Sequence, residues 1–149
     1  MIELPLNIDF SGKVVVVTGA GGVLCQAMVK AFAKAGAKVA ALDLNEEAVK
    51  TVAEECKAQG YICEGYKVNV LEMKSLEAAH AQILEDFGPC DILVNGAGGN
   101  HPSATTDNEY HHEAKEGQKT FFDLDMDGDD FVFTLNFQGT LVPVQVFAK

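Results

Sequence analysis

The run KVVVVTG at residues 13–19 is the feature that most narrows what this chain can become. Consecutive β-branched valines favour an extended backbone, and their side chains leave a strand on both faces, so both faces need apolar cover. Strands of that kind sit in parallel sheets sandwiched between helices. The run ends at Gly19, and from Val23 to Ala35 the apolar residues Val23, Leu24, Ala27, Met28, Ala31 and Phe32 recur at helical spacing, with Gly36 as the stop. The segment reads strand, glycine loop, helix.

The unit then repeats. KVAALD (38–43) is a second strand, and Asn45 caps a helix whose inward face is Ala48, Val49, Val52, Ala53 and Cys56, ending at Gly60. A third strand is expected near Ile62 to Val70, with Ile62, Tyr66, Val68 and Val70 on one face. A helix follows over about Lys74 to Phe87, and CDILVNGAG (90–98) gives a fourth strand running into a glycine turn. Parallel neighbours need a crossover, so this alternation predicts an α/β, doubly wound parallel sheet with strand order 3-2-1-4. With 149 residues, about half of them apolar, a single domain over 1–149 is expected.

Past Gly98 the pattern changes. Residues 99–120 are polar and lack periodicity, which predicts a loop or lid inserted before the fourth helix. A helical pattern resumes at about Asp127, where Pro143 predicts a kink because it lacks a backbone donor. The apolar Val142, Val144, Val146 and Phe147 near the last residue have no evident partner in the pattern.

The net charge of −11 weighs against nucleic acid and anionic membranes as partners, since both need clustered Lys and Arg. The opening MIELPLNIDFSGK has no basic start, and no run approaches the roughly 18 apolar residues of a spanning helix, so a cytoplasmic protein without a membrane is expected. Cys25, Cys56, Cys63 and Cys90 form no CxxC pair and read as reduced structural thiols. DLDMDGDD (123–130) copies the start of a calcium loop, but its eighth position is Asp130 and its twelfth Thr134, where such a loop needs an apolar residue and a bidentate Glu; an acidic helix start is the better reading. His111, His112 and Glu113 lack the i, i+4 histidine pair of a helical zinc site, so no metal is expected. His101 is a candidate substrate contact, because it follows AGGN at the carboxyl edge of the fourth strand, where such sheets bind ligands.

VTGAGGVLCQA (17–27) carries the clearest chemistry. A strand that hands over to a helix through glycines gathers free N–H groups and the positive end of the helix dipole at one point, which suits a pyrophosphate. Asp43 ends the second strand about 20 residues on, where a carboxylate accepts hydrogen bonds from ribose hydroxyls. The same charge repels a 2′-phosphate, and DLNEE (43–47) has no Arg or Lys to offset it, so NAD is favoured over NADP.

Together, Thr18 and Gly19, Asp43, Asn69 in VNV (68–70), NGAG (95–98) and NFQG (136–139) resemble the short-chain dehydrogenase/reductase family over essentially the whole chain. TGAGGVLC, AGGNHP and KTFFDLD further resemble its D-mannonate oxidoreductase (fructuronate reductase-like) branch. The resemblance implies a Rossmann-like fold and an NAD-dependent hydride transfer between nicotinamide and a small carbonyl or alcohol substrate, a sugar acid such as a keto-uronate or D-mannonate. It implies that Thr18, Gly19 and Gly22, with the backbone of Val23 and Leu24, seat the pyrophosphate. By the same resemblance Asn69 and Val70 meet the adenine, Asn95, Ala97 and Gly98 lie on the nicotinamide side, and Asn136 is a catalytic residue that helps hold a water. An Asn that bonds helix backbone is the competing reading of Asn136.

Three positions depart from the family pattern. Gly96 replaces the second Asn of NNAG, Asn69 replaces an Asp, and Cys25 replaces the last loop glycine, which predicts weakened helix packing rather than a lost site. The family's acid/base is a Tyr followed four residues later by Lys, with a Ser nearby; Tyr61, Tyr66 and Tyr110 have no such Lys. The resemblance therefore implies the N-terminal portion of a longer protein, homo-oligomeric at full length, which by itself binds NAD without turnover. The alternatives are a non-catalytic nucleotide-binding or regulatory module, and an inert fragment with an exposed sheet edge.

Overall fold

The computed structural model describes residues 8–149; residues 1–7 of the opening segment lie outside it. Four strands, β1 (Val14–Thr18), β2 (Lys38–Asp43), β3 (Cys63–Lys67) and β4 (Ile92–Asn95), form one parallel sheet in the order β3-β2-β1-β4. Helices α1 (Val23–Lys34), α2 (Glu46–Lys57) and α3 (Met73–Asp86) make the crossovers. After β4 come three short 3₁₀ turns, then α4 (Met126–Phe133), a π-helical turn over Thr134–Gln138, and α5 (Gly139–Phe147). This is the Rossmann-like architecture expected from the strand and helix alternation.

The valine run explains the layering. Val15 and Val17 enter a core with Cys25, Val29 and Ala33 of α1 and Val49, Val52, Ala53 and Cys56 of α2. Val14 and Val16 face the opposite way, into a core with Leu76, Ala79 and Ile83 of α3 and Val146 and Phe147 of α5. Alternation along one strand thus fills two layers, and each buried valine contributes up to about 1.5–3 kcal/mol against the extended chain. β1 lies between β2 and β4, with Val16 in register with Ala40 and Leu93. β4 is half-buried at the edge.

Several local expectations are revised. On α1 the buried line is Cys25, Val29 and Ala33, while Val23, Leu24 and Met28 of the expected face are 80%, 77% and 43% exposed, so the helix turns a neighbouring line of side chains to the sheet. Ile62 is 51% exposed, since β3 is an outer strand and begins one residue later. Val146 and Phe147 do find partners: they are buried, Phe147 meets the His80 ring edge-on at 5.3 Å, and Val142 packs on the same core. Val144 stays largely exposed. The expected single helix departs from α-geometry at Thr134–Gln138, one turn ahead of the buried Pro143. No helix among the described residues is long and apolar enough to cross a membrane.

Candidate functional site

The glycine loop is shaped by close backbone approach. Gly19 has φ +66°, and a Cβ on it would stand 2.8 Å from Ala97 N and from Gly96 C and O, so the conformation and the space both exclude a side chain. Gly22 is the N-cap of α1 in extended geometry and offers no side chain to cap it. The first turn of α1 contains no acidic residue, so neither a side-chain cap nor a carboxylate of its own turn offsets the positive end of its dipole.

Asp43 stands beside this loop. Its Oδ2 accepts from Gly21 N at 2.9 Å and its Oδ1 from Asn45 N at 2.8 Å, so the carboxylate is fixed where β2 gives way to α2. Asn45 in turn caps α2, accepting from Ala48 N at 3.1 Å. Burial pushes the Cys25 thiol up, and the Asp43 charge adds in the same direction. The thiol therefore sits protonated under the loop, as a small apolar group rather than a nucleophile.

The exit of β4 is held by Thr18. That residue is fully buried, and its Oγ1 accepts from Gly96 N and Ala97 N, each at 3.1 Å. The resemblance places Thr18 among the residues that seat the pyrophosphate; here its Oγ1 holds the β4 exit against the end of β1. Asn95, in register with Thr18, leaves its Oδ1 buried without a hydrogen-bond partner. A Cβ on Gly98 would stand 2.6 Å from Asn136 Oδ1. Asn136, in the π-turn, donates from Nδ2 to Gly99 O (2.7 Å) and Val132 O (2.8 Å) and accepts from Gly99 N (3.2 Å). The backbone-bonding reading of Asn136 describes these contacts.

On the β3 side, Asn69 closes a turn on itself. Its Oδ1 accepts from Leu71 N at 3.1 Å, its Nδ2 donates to Glu72 Oε1 at 2.8 Å, and its backbone N–H goes to Ser75 Oγ at 3.0 Å. Val70 is buried, and a Cβ on Gly139 would lie 3.2 Å from its Cγ2. Sequence reasoning missed Glu72 and Ser75 as the partners that fix this turn, though an Asn just past a strand is itself a turn signal.

The insertion after Gly98 is stapled rather than loose. Asp107 accepts from Lys119 N at 2.7 Å and returns its own N–H to Lys119 O at 2.9 Å, while Asn108 Nδ2 reaches Gln118 Oε1 at 2.8 Å. His101 lies half-buried, its ring 5.1 Å from that of Phe131 and its Nδ1 3.3 Å from Ser103 N. A concavity of ≈ 400 Å³ opens here, lined by Asn100, His101, Pro102, Thr105, Thr106 and Asp107. The acidic run forms caps: Asp123 Oδ2 accepts from Thr120 N and Oγ1, and Asp125 accepts from Asp127 N at the start of α4. Among the described residues no three His, Cys, Asp or Glu side chains gather as a metal site, and the four cysteines are free thiols.

Comparison with known proteins places this geometry in context. A family model described as short chain dehydrogenase matches residues 13–149. An uncharacterized oxidoreductase of Haemophilus influenzae is 50% identical over 149 residues, covering 99% of this chain and 52% of that protein. The uncharacterized oxidoreductase UxuB of Bacillus subtilis is 46% identical over 146 residues, covering 98% of this chain and 52% of that protein. A Haemophilus influenza protein with the working name D-mannonate oxidoreductase, solved with bound NAD, superposes with a TM-score of 0.90 at 51% identity, over 95% of this chain and 51% of that one. An NAD⁺-bound xylitol dehydrogenase superposes at 0.79 with 26% identity, over 93% and 48%. The chain spans about half the length of the curated relatives it matches.

Proposed function

The chain belongs to the short-chain dehydrogenase family, and on that premise we propose that it holds NAD for an oxidoreductase moving a hydride between nicotinamide and a carbonyl or alcohol carbon. The substrate in this reading is a sugar acid of the keto-uronate or D-mannonate kind, supported by the similarity to the NAD-bound Haemophilus protein. The observation that carries the reading is a convergence at one sheet edge: the uncapped N-terminus of α1 lies beside the Asp43 carboxylate, which reaches into the same loop at Gly21 N.

The residues fit such a cofactor. Gly19, Gly22 and the amides of Val23 and Leu24 bind the pyrophosphate, with Thr18 holding the β4 exit clear of it. Asp43 accepts the ribose hydroxyls through lone pairs beyond those used by Gly21 and Asn45. Asn69 and Val70 border the adenine; Asn95, Ala97 and Gly98 border the nicotinamide, and the unpartnered Asn95 Oδ1 is an acceptor in reserve there. Asn136 anchors Gly99 at that end. Bound in this cleft, the nicotinamide supplies the hydride donor or acceptor.

The proton is another matter. A phenol near its ordinary pKa of about 10 is a poor base at neutral pH without a cation beside it. No tyrosine here is followed four residues later by lysine. This chain by itself therefore binds and orients without turning over. A homo-oligomer is part of the reading, supported by the exposed Phe133 and Phe137 on α4 and the π-turn.

Calorimetric titration with NADH and NADPH tests the cofactor. NADH should bind at least about tenfold more tightly, a difference of roughly 1.4 kcal/mol. Equal affinities, or none, overturn the assignment, and turnover of D-mannonate with NAD by this chain alone overturns the division of labour.

A further inference from the structure

We infer that the concavity beyond β4 receives the hydroxyl-bearing end of the substrate and turns its acid group away. The inference rests on the reading of the protein as an oxidoreductase of small polyhydroxylated compounds.

The walls are set before any ligand arrives. Gly99, where the insertion begins, is held by Asn136 through both its N–H and its carbonyl. Lys119 Nζ donates to Pro102 O at 2.8 Å, and across the base of the insertion Asp107 N donates to Lys119 O while Asp107 Oδ2 accepts from Lys119 N. Asp125 N donates to Ser103 O at 3.2 Å, which ties the same segment to the start of α4. A volume of ≈ 400 Å³ is at the low end for a small-molecule site and suits a six-carbon chain.

The inventory of donors and acceptors then selects the ligand. Thr105 Oγ1 donates its hydrogen to His101 O at 2.9 Å, and Thr106 Oγ1 donates to Asn108 O at 3.0 Å, so each hydroxyl has only lone pairs left to offer. Asp107 adds a carboxylate, which accepts and does not donate. Asn100 Oδ1 takes the His101 N–H at 2.9 Å, leaving its amide hydrogens. His101 Nδ1 stands 2.7 Å from Ser103 Oγ and 3.3 Å from Ser103 N, so Ser103 occupies that side of the ring. No Lys or Arg lines the concavity. Three acceptors beside the amide hydrogens of Asn100 match alcohols, each of which donates and accepts. A carboxylate or phosphate, which only accepts, meets the Asp107 charge and two sets of lone pairs, and the nearby Lys119 ammonium is already bonded to Pro102 O.

The test uses the ¹⁵N-labelled full chain, titrated with mannitol and separately with adipate, a dicarboxylate without hydroxyls, each with and without NADH. Mannitol should saturably shift the amides of Asn100, Thr105, Thr106 and Asp107, and adipate should not. Asp107→Asn keeps an oxygen for Lys119 N–H yet replaces an anion with a donor; it should weaken mannitol about tenfold and let adipate move the same amides, an inversion that simple unfolding cannot produce. Mannitol leaving those amides in place, adipate matching it on the unsubstituted chain, or Asp107→Asn changing neither overturns the inference. NADH shifts in the same samples keep the two readings apart: NADH bound without mannitol removes this inference alone, and mannitol bound without NADH removes the cofactor assignment alone.

Discussion

The sulfur of Cys25 fills the space that a side chain on Gly96 would need. These are two of the positions at which the chain departs from its family's pattern, and the departures fit each other: a larger residue on α1 faces a glycine after β4. Replacing Gly96 with Asn should force Cys25 aside and cost about 1–3 kcal/mol by overpacking, read as a lower urea midpoint. Adding Cys25→Gly should recover part of the loss. Recovery stays incomplete, because a Cβ at 96 also stands 2.8 Å from Thr18 O. A double-mutant cycle with no coupling between 25 and 96 would refute the pairing.

Gly19→Ala should be the most damaging single change in the loop. The left-handed backbone alone costs roughly 1–2 kcal/mol for a residue with a Cβ. The added carbon also meets backbone at Gly96 and Ala97, which cannot swing away as a side chain tip can. We expect NADH binding to fall below detection by calorimetry and the urea midpoint to drop with it. Binding at unchanged affinity would mean that this approach does not shape the cleft.

Asp43→Asn separates charge from shape. The amide retains one oxygen for a backbone N–H but presents a hydrogen to the other, and it removes the negative charge facing a 2′-phosphate. Hydrogen bonds to a charged group are worth about 1.5–3 kcal/mol, so NADH affinity should fall roughly tenfold to a hundredfold. The preference over NADPH should narrow at the same time. An unchanged ratio of the two affinities would remove Asp43 from cofactor selection.

What the sequence discloses here follows from how local each determinant is. The valine run, the Asn45 cap and the glycine stops are set by neighbours along the chain, and β1, α2 and the strand order can be read from them. The face of α1 is not local: Val23, Leu24 and Met28 are apolar yet exposed while Cys25, Val29 and Ala33 are buried, and two apolar lines on one helix do not reveal which of them meets the sheet. Thr18 illustrates the same limit at the site. Its motif marks it as part of a nucleotide loop, but that its hydroxyl goes to Gly96 and Ala97 depends on a contact across most of the chain. The insertion's order was hidden because Asp107–Lys119 and Asn108–Gln118 are polar pairs without a repeat.

Acid should weaken the start of the sheet through Asp91. Its Oδ1 pairs with Lys13 Nζ and its Oδ2 accepts from Val14 N, tying β4 to β1, and these bonds, that of Lys13 first, hold its carboxyl below the ordinary range. A carboxyl depressed in the folded state stabilises fully above its unfolded pKa, near 4, and loses that contribution as pH falls through the folded value. The gap in urea midpoint between the natural chain and Asp91→Asn should therefore be constant from pH 7 to about 5 and shrink below about 4. A gap that widened in acid would show the sign to be wrong.

Asn136 offers a test of whether the π-turn latches the insertion. Its amide donates to Gly99 O and Val132 O and its oxygen accepts from Gly99 N, so the side chain is used as donor and acceptor at once. Asn136→Ala exposes those groups to water and should cost only about 0.5–1.5 kcal/mol, since the site is solvated. Asn136→Asp is nearly the same shape, but it places carboxylate oxygens against two carbonyls and should be the more destabilising of the two. Hydrogen exchange gives the local readout: the Gly99 amide should exchange faster in both variants, while the β1 amides of Val15 to Val17 keep their protection. If Asp is tolerated better than Ala, or Gly99 exchange is unmoved, then the insertion is held by its own internal pairs and not by the π-turn.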